Sequence, residues 1–545
     1  MNFKPEEIEI KNFDHLGIVA GIIDEIEIVE KIRWAGNPSS NELLGIDPRE
    51  KINCGEVVKA IILNGLGFVA QPLYLFSNFF KDKAVEKLLG AGIKAEELND
   101  DRLGRVMDKL YKYGLNNIFL IIGLEVIRKY GISTKYSHLD STSFHLHGQY
   151  SNRNNYETKD QRSEVNRENP IFITEGYSRD HRPDLKQCVL DLIVSSDGDI
   201  PIFIRGGSGN ESDKAMFGKI LVEYSQQVDF ESIMIADSAL YSAKNLILIK
   251  DLKWISRVPL SIKKAKDLIK TTKSQSLKNS DSKGYKYSSE QVTYGGIEQR
   301  WMIVESDERK KSDLKKILYR IEKEAEKSEK EINKIIKTEF EQSSLGLKKI
   351  EEIQAKLKYH QVTRIETSCQ LNKKGQEIYT IACELIENKV IVDEVKNQAG
   401  RFILATNILS EKDLLAPEIL IAYKKQQSCE RGFRFLKDPL FFADSLFVKN
   451  PERVETMMML MGLSLLVYTI GQREIRINLR ERKSSVKNQL NKLTTRPTLR
   501  WIFQCFQGIH CFKIEGIERI SNLSEERHRI LDFLPIACQR YYLIT

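Results

Sequence analysis

The chain lacks the signatures of several large protein classes. None of its eight cysteines, at 54, 188, 369, 383, 429, 505, 511 and 538, stands in CxxC spacing. That excludes a zinc ribbon and a dithiol redox pair. Cys505 and Cys511 flank His510, but two thiols and one imidazole without a fourth partner make a poor zinc set. Reduced, buried thiols are the simpler expectation. No GxxxxGKS/T loop occurs, so no nucleotide-driven step is indicated. The N-terminal residues MNFKPEEIEIKNF contain no apolar h-region, and no secretory signal is expected. The most apolar stretch, 456–471, is bracketed by Arg453 and Arg473. It falls short of the roughly 18–20 residues of a bilayer span. A core helix with gap-filling methionines is expected there, in a cytoplasmic protein.

What is present is long and mildly basic. A chain of 545 residues exceeds one small core and points to about two to four domains. The net charge of +8 suits a polyanionic partner without demanding one, so local clustering carries more information. The segment 471–500 holds nine Lys and Arg against two Glu. Its Arg473, Arg476, Arg480, Arg482, Lys483 and Lys487 are candidate DNA-phosphate contacts, the alternative being an ordinary solvated basic helix.

The pattern along the chain divides it into five parts. Residues 1–132 read as helical, with Ile18, Ala20, Ile22 and Ile23 opening an apolar segment and Asn99 placed to cap a helix. This part either supports folding and dimerisation or binds DNA ends. Residues 133–258 carry strand-like runs at 136–147, 171–177, 188–195 and 200–205. A hairpin turn at Ser196-Asp197-Gly198-Asp199, a helix at 213–226 and strands ending at Asp237 and Val258 follow. That order implies a mixed sheet with helices packed on it. Residues 259–398 interrupt it as an α+β insertion. A Lys- and Ser-rich segment at 260–287 reads as mobile. A long charged helix or helical hairpin at 309–360 is followed by strands at 363–370, 377–385 and 389–393. The sheet domain resumes over 399–470, and 471–545 forms a basic C-terminal region.

Three acids from different elements stand out. Asp140 lies in the extended block YSHLDSTSF, where Thr142 shares its side of the strand. Asp237 ends the apolar run Ile233-Met234-Ile235-Ala236, a position at a strand's C-terminal end where α/β sites collect. Glu430 lies in the helical block YKKQQSCERGFRFLK. There Tyr423, Gln426, Glu430 and Lys437 fall within roughly 60° of one another at 3.6 residues per turn, and Arg434 joins that face. Each has a plainer alternative: a turn-satisfied Asp, a helix N-cap, and a surface helix with i,i+4 pairing. Carboxylates gathered from strand, strand end and helix suit hard Mg²⁺ ions and in-line phosphoryl displacement. His145 and His147 form a weaker metal candidate, and 180–184 a candidate phosphate loop or plain turn.

The spacing Tyr-(2)-x-(3)-Glu-(6)-Lys resembles the signature helix of bacterial insertion-sequence transposases, the DDE enzymes of the YREK-motif group. The blocks HLDSTSF, IADSALYS and ERGFRFLKDPLF resemble that group's two Asp blocks and its Glu block. GYSRDHRPDLKQ and LNGLGFVAQPLYLF resemble further segments of one subgroup. The resemblance implies a ribonuclease-H-like core within an α/β fold, with the first Asp on the first strand and the second just after the fourth. It implies catalytic and metal-binding roles for Asp140, Asp237 and Glu430, holding two Mg²⁺ ions for which Mn²⁺ can substitute. It implies phosphate positioning by Tyr423, Gln426, Arg434 and Lys437, although Gln426 stands where the group has Arg and so lacks its charge. Strand cleavage, a DNA hairpin and strand transfer follow by the same resemblance. So do double-stranded DNA partners (terminal inverted repeats and target) and a homodimer on DNA. Trp301 is a candidate platform for a flipped base, or an ordinary strand Trp. A structure-selective nuclease or an inactive DNA-binding protein are the alternative functions.

Overall fold

The computed structural model describes residues 8–34, 51–68, 70–148, 150, 170–178, 182–439, 448–514 and 517–543. Val69, Arg179, Asp180, His181, Leu440 and Phe441, which belong to blocks singled out above, lie outside them. The chain forms two compact units. One comprises 1–254 with 422–545; the other is the intervening segment 255–421.

The first unit opens with strand β1 (Ile8–Asn12) and helices α1 (Leu16–Glu25), α2 (Cys54–Leu66), α3 (Asp100–Tyr113) and α4 (Leu115–Tyr130). Asn99 caps α3 as its chemistry predicts, its side chain accepting from the Arg102 amide at 3.0 Å. The sheet follows: β2 (Tyr136–Leu146), β3 (Lys186–Ser195), β4 (Pro201–Ser208), helix α5 (Asp213–Gln227), then β5 (Ile233–Ala236). Strands run in the order β4-β3-β2-β5, with β3 antiparallel to both β2 and β4 and β5 parallel to β2. Three antiparallel strands, of which β3 and β4 are joined by a tight turn, then a fourth reached through a helix and parallel to the first, give the mixed sheet of a ribonuclease-H-like core.

The segment 171–177 is not a strand. Only Thr174 pairs, with Gln187, while Phe172 bonds to the Ser208 hydroxyl and to Gly209. Its backbone groups are satisfied at the ends of two strands, so no continuous ladder forms.

Helix α11 (Pro451–Glu481) runs through the core of this unit. It is long and apolar enough to cross a membrane by length and composition, but 89% of its most apolar window is buried in protein. Met458, Met459 and Met461 are buried along it. It ties the helical region down through Arg453, whose guanidinium makes two 2.8 Å bonds to Asp108. Glycine 462 lets it approach closely: a Cβ there would stand 2.5 Å from Ile204 Cδ1.

The second unit contains β6 (Trp254–Val258), β7 (Tyr285–Tyr294), β8 (Ile297–Ser306), helices α6 (Asp307–Ile336) and α7 (Ser343–Gln354), β9 (His360–Leu371), β10 (Glu377–Glu387), α8 (Lys389–Gln398) and β11 (Arg401–Thr406). Within this unit β6, β11, β8 and β7 are antiparallel neighbours in that order, and β9 and β10 pair as a hairpin. The long charged stretch is the helical hairpin α6–α7. Two expectations are corrected. Residues 389–393 are helical, because Asn388 caps Ile391 and Val392, Val395 and Ala399 make a helical apolar stripe. The Lys- and Ser-rich segment is ordered in part as a helix, Lys263–Thr271, which buries Ala265 and Ile269 at i,i+4 spacing.

His15 joins the two ends of the first unit. Its Nε2 lies 2.8 Å from the Leu66 carbonyl and its Nδ1 2.8 Å from the Gln507 amide, and it stacks on Phe503 at 4.4 Å. The amide donates to Nδ1, so the network assigns the neutral Nε2–H tautomer. Burial holds its pKa down at about 4. The unfolded chain, titrating near 6.5, binds more protons across that interval. Stability from this group is therefore complete above pH 6.5 and lost as pH falls toward 4, by on the order of 3 kcal/mol. Thermal unfolding followed across that range will show the loss, and His15→Gln, which keeps an amide donor for Leu66, will flatten it.

Candidate functional site

Asp140, within β2, and Asp237, just past the end of β5, stand at the same level of adjacent strands. Strands β2 and β5 are parallel, with Leu139 opposite Ala236, so each acid is the next residue on its chain. Neighbouring strands lie about 4.8 Å apart and matched positions face the same side. Both carboxylates are half-buried. Asp140 Oδ1 accepts from the Ser141 amide at 2.9 Å, and Asp237 Oδ1 from the Ala239 amide at 2.8 Å. Asp237 is not a helix cap; Ser242 takes that role for the helix Ala243–Leu248.

The third acid arrives on a helix laid along β2. The expected single helix is two, α9 (Ala416–Lys424) and α10 (Gln427–Leu436). Between them the bonds tighten to the i→i+3 pattern at Gln426, Ser428 and Cys429. Tyr423 therefore ends one helix while Glu430 and Lys437 belong with the next, so the stripe is not one straight helical face.

Two contacts fix where α10 lies on β2. Gln426 Nε2 donates to the Leu139 carbonyl at 2.7 Å, and its Oε1 lies 3.3 Å from His138 Nδ1. At the other end Lys437 Nζ sits 5.7 Å above the Phe144 ring. His138, Asp140, Thr142 and Phe144 are alternate residues on one strand face. Asp140 thus lies between the two anchors, and Glu430, one turn beyond Gln426, is carried over the same stretch. Cys429 fits beneath, its Sγ donating to the His138 carbonyl at 3.2 Å. Burial pushes its thiol pKa well up, and the charges of Asp140, Asp199 and Glu430 add to the effect. Negative charge from strand, turn and helix thus converges on this spot.

Clamps hold the helix there. Arg431 makes 2.7 and 2.8 Å bonds to Asp199 in the β3–β4 turn. Arg500 bonds Asp438, just beyond the end of α10, at 2.6 Å. In the same turn Asp197 receives two bonds from Arg473 of α11, at 3.1 and 2.8 Å. Gly198 is required between them: its φ is +82°, and a Cβ would stand 2.8 Å from Arg473 Cδ.

Several expected contacts are otherwise engaged. The Gln426 amide is bonded to β2, so it docks the helix and is not presented to phosphate. Arg473 is held by Asp197 and Glu474, and Arg476 donates to the Pro497 carbonyl. Both are internal ties, because α11 buries this part of the basic segment. Arg482 bonds the Asp532 carbonyl. Arg434, Arg480, Lys483 and Lys487 are exposed. Trp301 is fully buried, with its indole nitrogen donating to Gln299 at 3.1 Å. Its ring faces a core, so it is not a platform for an extruded base. His145 bonds Ser178 at 2.8 Å.

Among the described residues, no three His, Cys, Asp or Glu side chains are grouped closely enough to hold a metal ion. The donor chemistry nonetheless fits a hard divalent cation. Two half-buried carboxylates share a strand level, a third lies on the covering helix, and all offer oxygen ligands only.

The sheet topology defines a ribonuclease-H-like fold. Comparison with known families places it further. Residues 137–469 match the family described as "Transposase DDE domain", and the chain belongs to that transposase family. Residues 8–124 match a "Domain of unknown function (DUF4277)". No curated protein sequence matches the chain. Among solved structures, a piggyBac transposase synaptic complex with hairpin DNA, determined by cryo-EM, aligns over 96% of this chain and 86% of that one. Identity there is 10% and the TM-score 0.37, a likeness too slight to bear on the site.

Gln426→Ala removes the docking bonds and leaves the Leu139 carbonyl without that donor. It is expected to destabilise the first unit by about 1–3 kcal/mol, measured as a lower denaturant midpoint with unchanged slope.

Proposed function

We propose that the chain cuts and rejoins DNA at Asp140, Asp237 and Glu430, as the transposase of a bacterial insertion sequence of the YREK-motif group. The observation that supports this is the strand register, Leu139 opposite Ala236, which sets Asp140 and Asp237 at one level of adjacent strands, with Glu430 on a helix docked against β2. Membership of the transposase family supports the substrate class. In this reading the three carboxylates hold two Mg²⁺ ions, or Mn²⁺. When bound, such ions stabilise charge on the attacking and leaving oxygens of an in-line displacement.

The chain's own contribution is position and charge. Asp140 and Asp237 are held in orientation by backbone amides, and Glu430 by the clamped helix. Lys437 and Arg434 supply cations to phosphate oxygens beside the scissile bond, with Tyr423 nearby. Water attacks a phosphodiester at the element end, and the 3′-oxygen leaves as a free hydroxyl. That hydroxyl then attacks the opposite strand, closing a hairpin and releasing flanking DNA. After the hairpin is opened, it attacks target DNA. A homodimer would bring two inverted-repeat ends together, acting on the nucleoid in the cytoplasm.

Asp140→Asn, Asp237→Asn and Glu430→Gln should each reduce Mg²⁺-dependent cleavage of a duplex carrying the element end to background. Folding should stay intact, as judged by thermal unfolding. Cleavage at the wild-type rate in any of the three would overturn the assignment. Cleavage by the wild type with no joined product on a target plasmid would favour a structure-selective nuclease instead.

A second prediction concerns the clamp. Arg431→Met, by freeing α10 from the β3–β4 turn, is expected to raise the Mg²⁺ concentration needed for half-maximal cleavage. Stability should fall by only about 1 kcal/mol, since the pair is partly exposed. Arg431→Lys should restore the Mg²⁺ requirement only in part, because Lys cannot make the two-bond contact.

A further inference from the structure

The basic stretch after α11 is not a helix. Residues Val486–Lys487 pair with Leu493–Thr494 as a small antiparallel hairpin. Its turn is built firmly. Asn488 Oδ1 accepts from the amides of Leu490 at 2.9 Å and Lys492 at 3.0 Å, and Asn491 adopts φ +57°. Its base is anchored: Trp501 Nε1 donates to the Lys487 carbonyl at 2.7 Å, and Arg529 bonds Ser484 and Ser485.

Two features of this hairpin are unusual together. Leu490 at its tip is 75% exposed and Leu493 70% exposed, in a segment that buries little else. No Asp or Glu occurs anywhere from 482 to 514. Lys483, Lys487, Lys492 and Arg496 are exposed, and none is in an ion pair among the described residues. Beside the hairpin runs an open groove of about 1040 Å³, whose hairpin wall is Lys487, Asn488, Gln489 and Asn491 and whose far wall carries one cation and one acid, Arg527 and Glu526. A rigid, acid-free projection with cations along its arms and an apolar tip complements a duplex. The cations meet phosphates, and the leucine meets apolar groove edges or a base step.

We propose that this hairpin is a duplex-DNA contact, with Lys487, Lys492 and Arg496 on the phosphates and Leu490 entering a groove. The proposal rests on the reading of the chain as a DNA-processing enzyme, and narrows the basic region from a diffuse patch to one projecting element.

The test is binding of the full chain to a short labelled duplex in EDTA, over a range of salt concentrations, so that no cleavage is needed. The Lys487→Ala/Lys492→Ala/Arg496→Ala variant should weaken binding and reduce the slope of log K against log salt by about 2–3, near 0.9 per lost phosphate contact. Leu490→Ser should weaken binding several-fold with the slope unchanged. The single Lys492→Glu, on the exposed turn, should shift the slope in the same direction and guards against misfolding of the triple variant. An unchanged slope in both charge variants overturns the proposal. An unchanged affinity in Leu490→Ser overturns groove entry. A change in sedimentation without a change in DNA affinity overturns it in favour of a contact between copies of this chain. Glu430→Gln should bind DNA as the wild type does but not cut it. If Glu430→Gln cuts normally, the catalytic reading fails while the hairpin result stands.

Discussion

The site depends on the seating of one short helix on one strand. Gln426 and Cys429 bond to carbonyls of β2, at Leu139 and His138. A carbonyl in a sheet already serves its ladder, but its second lone pair can accept from a covering element. The helix is thereby registered to the strand's backbone and not merely to its side chains. Apolar packing alone would permit sliding along the strand. Directional bonds to two consecutive carbonyls do not. That is how the helix carrying Glu430 comes to be fixed against the strand carrying Asp140.

The β3–β4 turn acts as the second reference point. Its Asp197 and Asp199 receive the guanidinium groups of Arg473 and Arg431, one from each of the two long-range helices packed on the sheet. Such planar, two-bond contacts fix orientation as well as distance. The turn also accounts for why part of a strongly basic segment is unavailable to a polyanion. Arg473 and Arg476 are structural, and the cations left over concentrate just after α11, within the acid-free stretch 482–514.

Much of the core was legible in the chain. Alternating and continuous apolar runs marked β2 to β5, and the Asp-Gly turn marked the β3–β4 hairpin, because those signals are local. The Asn99 cap and the α6–α7 hairpin were legible for the same reason. The errors have identifiable causes. The run 389–393 is rich in β-branched residues, yet a preceding Asn cap and an apolar stripe outweigh that preference. The helix break at Gln426 was invisible because glutamine has no propensity to break helices; the break serves the docking on β2. Trp301 alternates correctly for a strand, but alternation does not say which face is covered on both sides.

The kinds of element that carry Asp140, Asp237 and Glu430, a strand, a strand end and a helix, were determined by the sequence, since such local structure is written in neighbouring residues. Tertiary structure alone decided that Asp140 and Asp237 share one level. It likewise decided that Gln426 holds a strand and that half of the basic cluster is tied inward. Those outcomes are set by contacts between residues hundreds of positions apart, such as Gln426 with Leu139 and Arg473 with Asp197, and no local pattern encodes which distant partner a polar group will find.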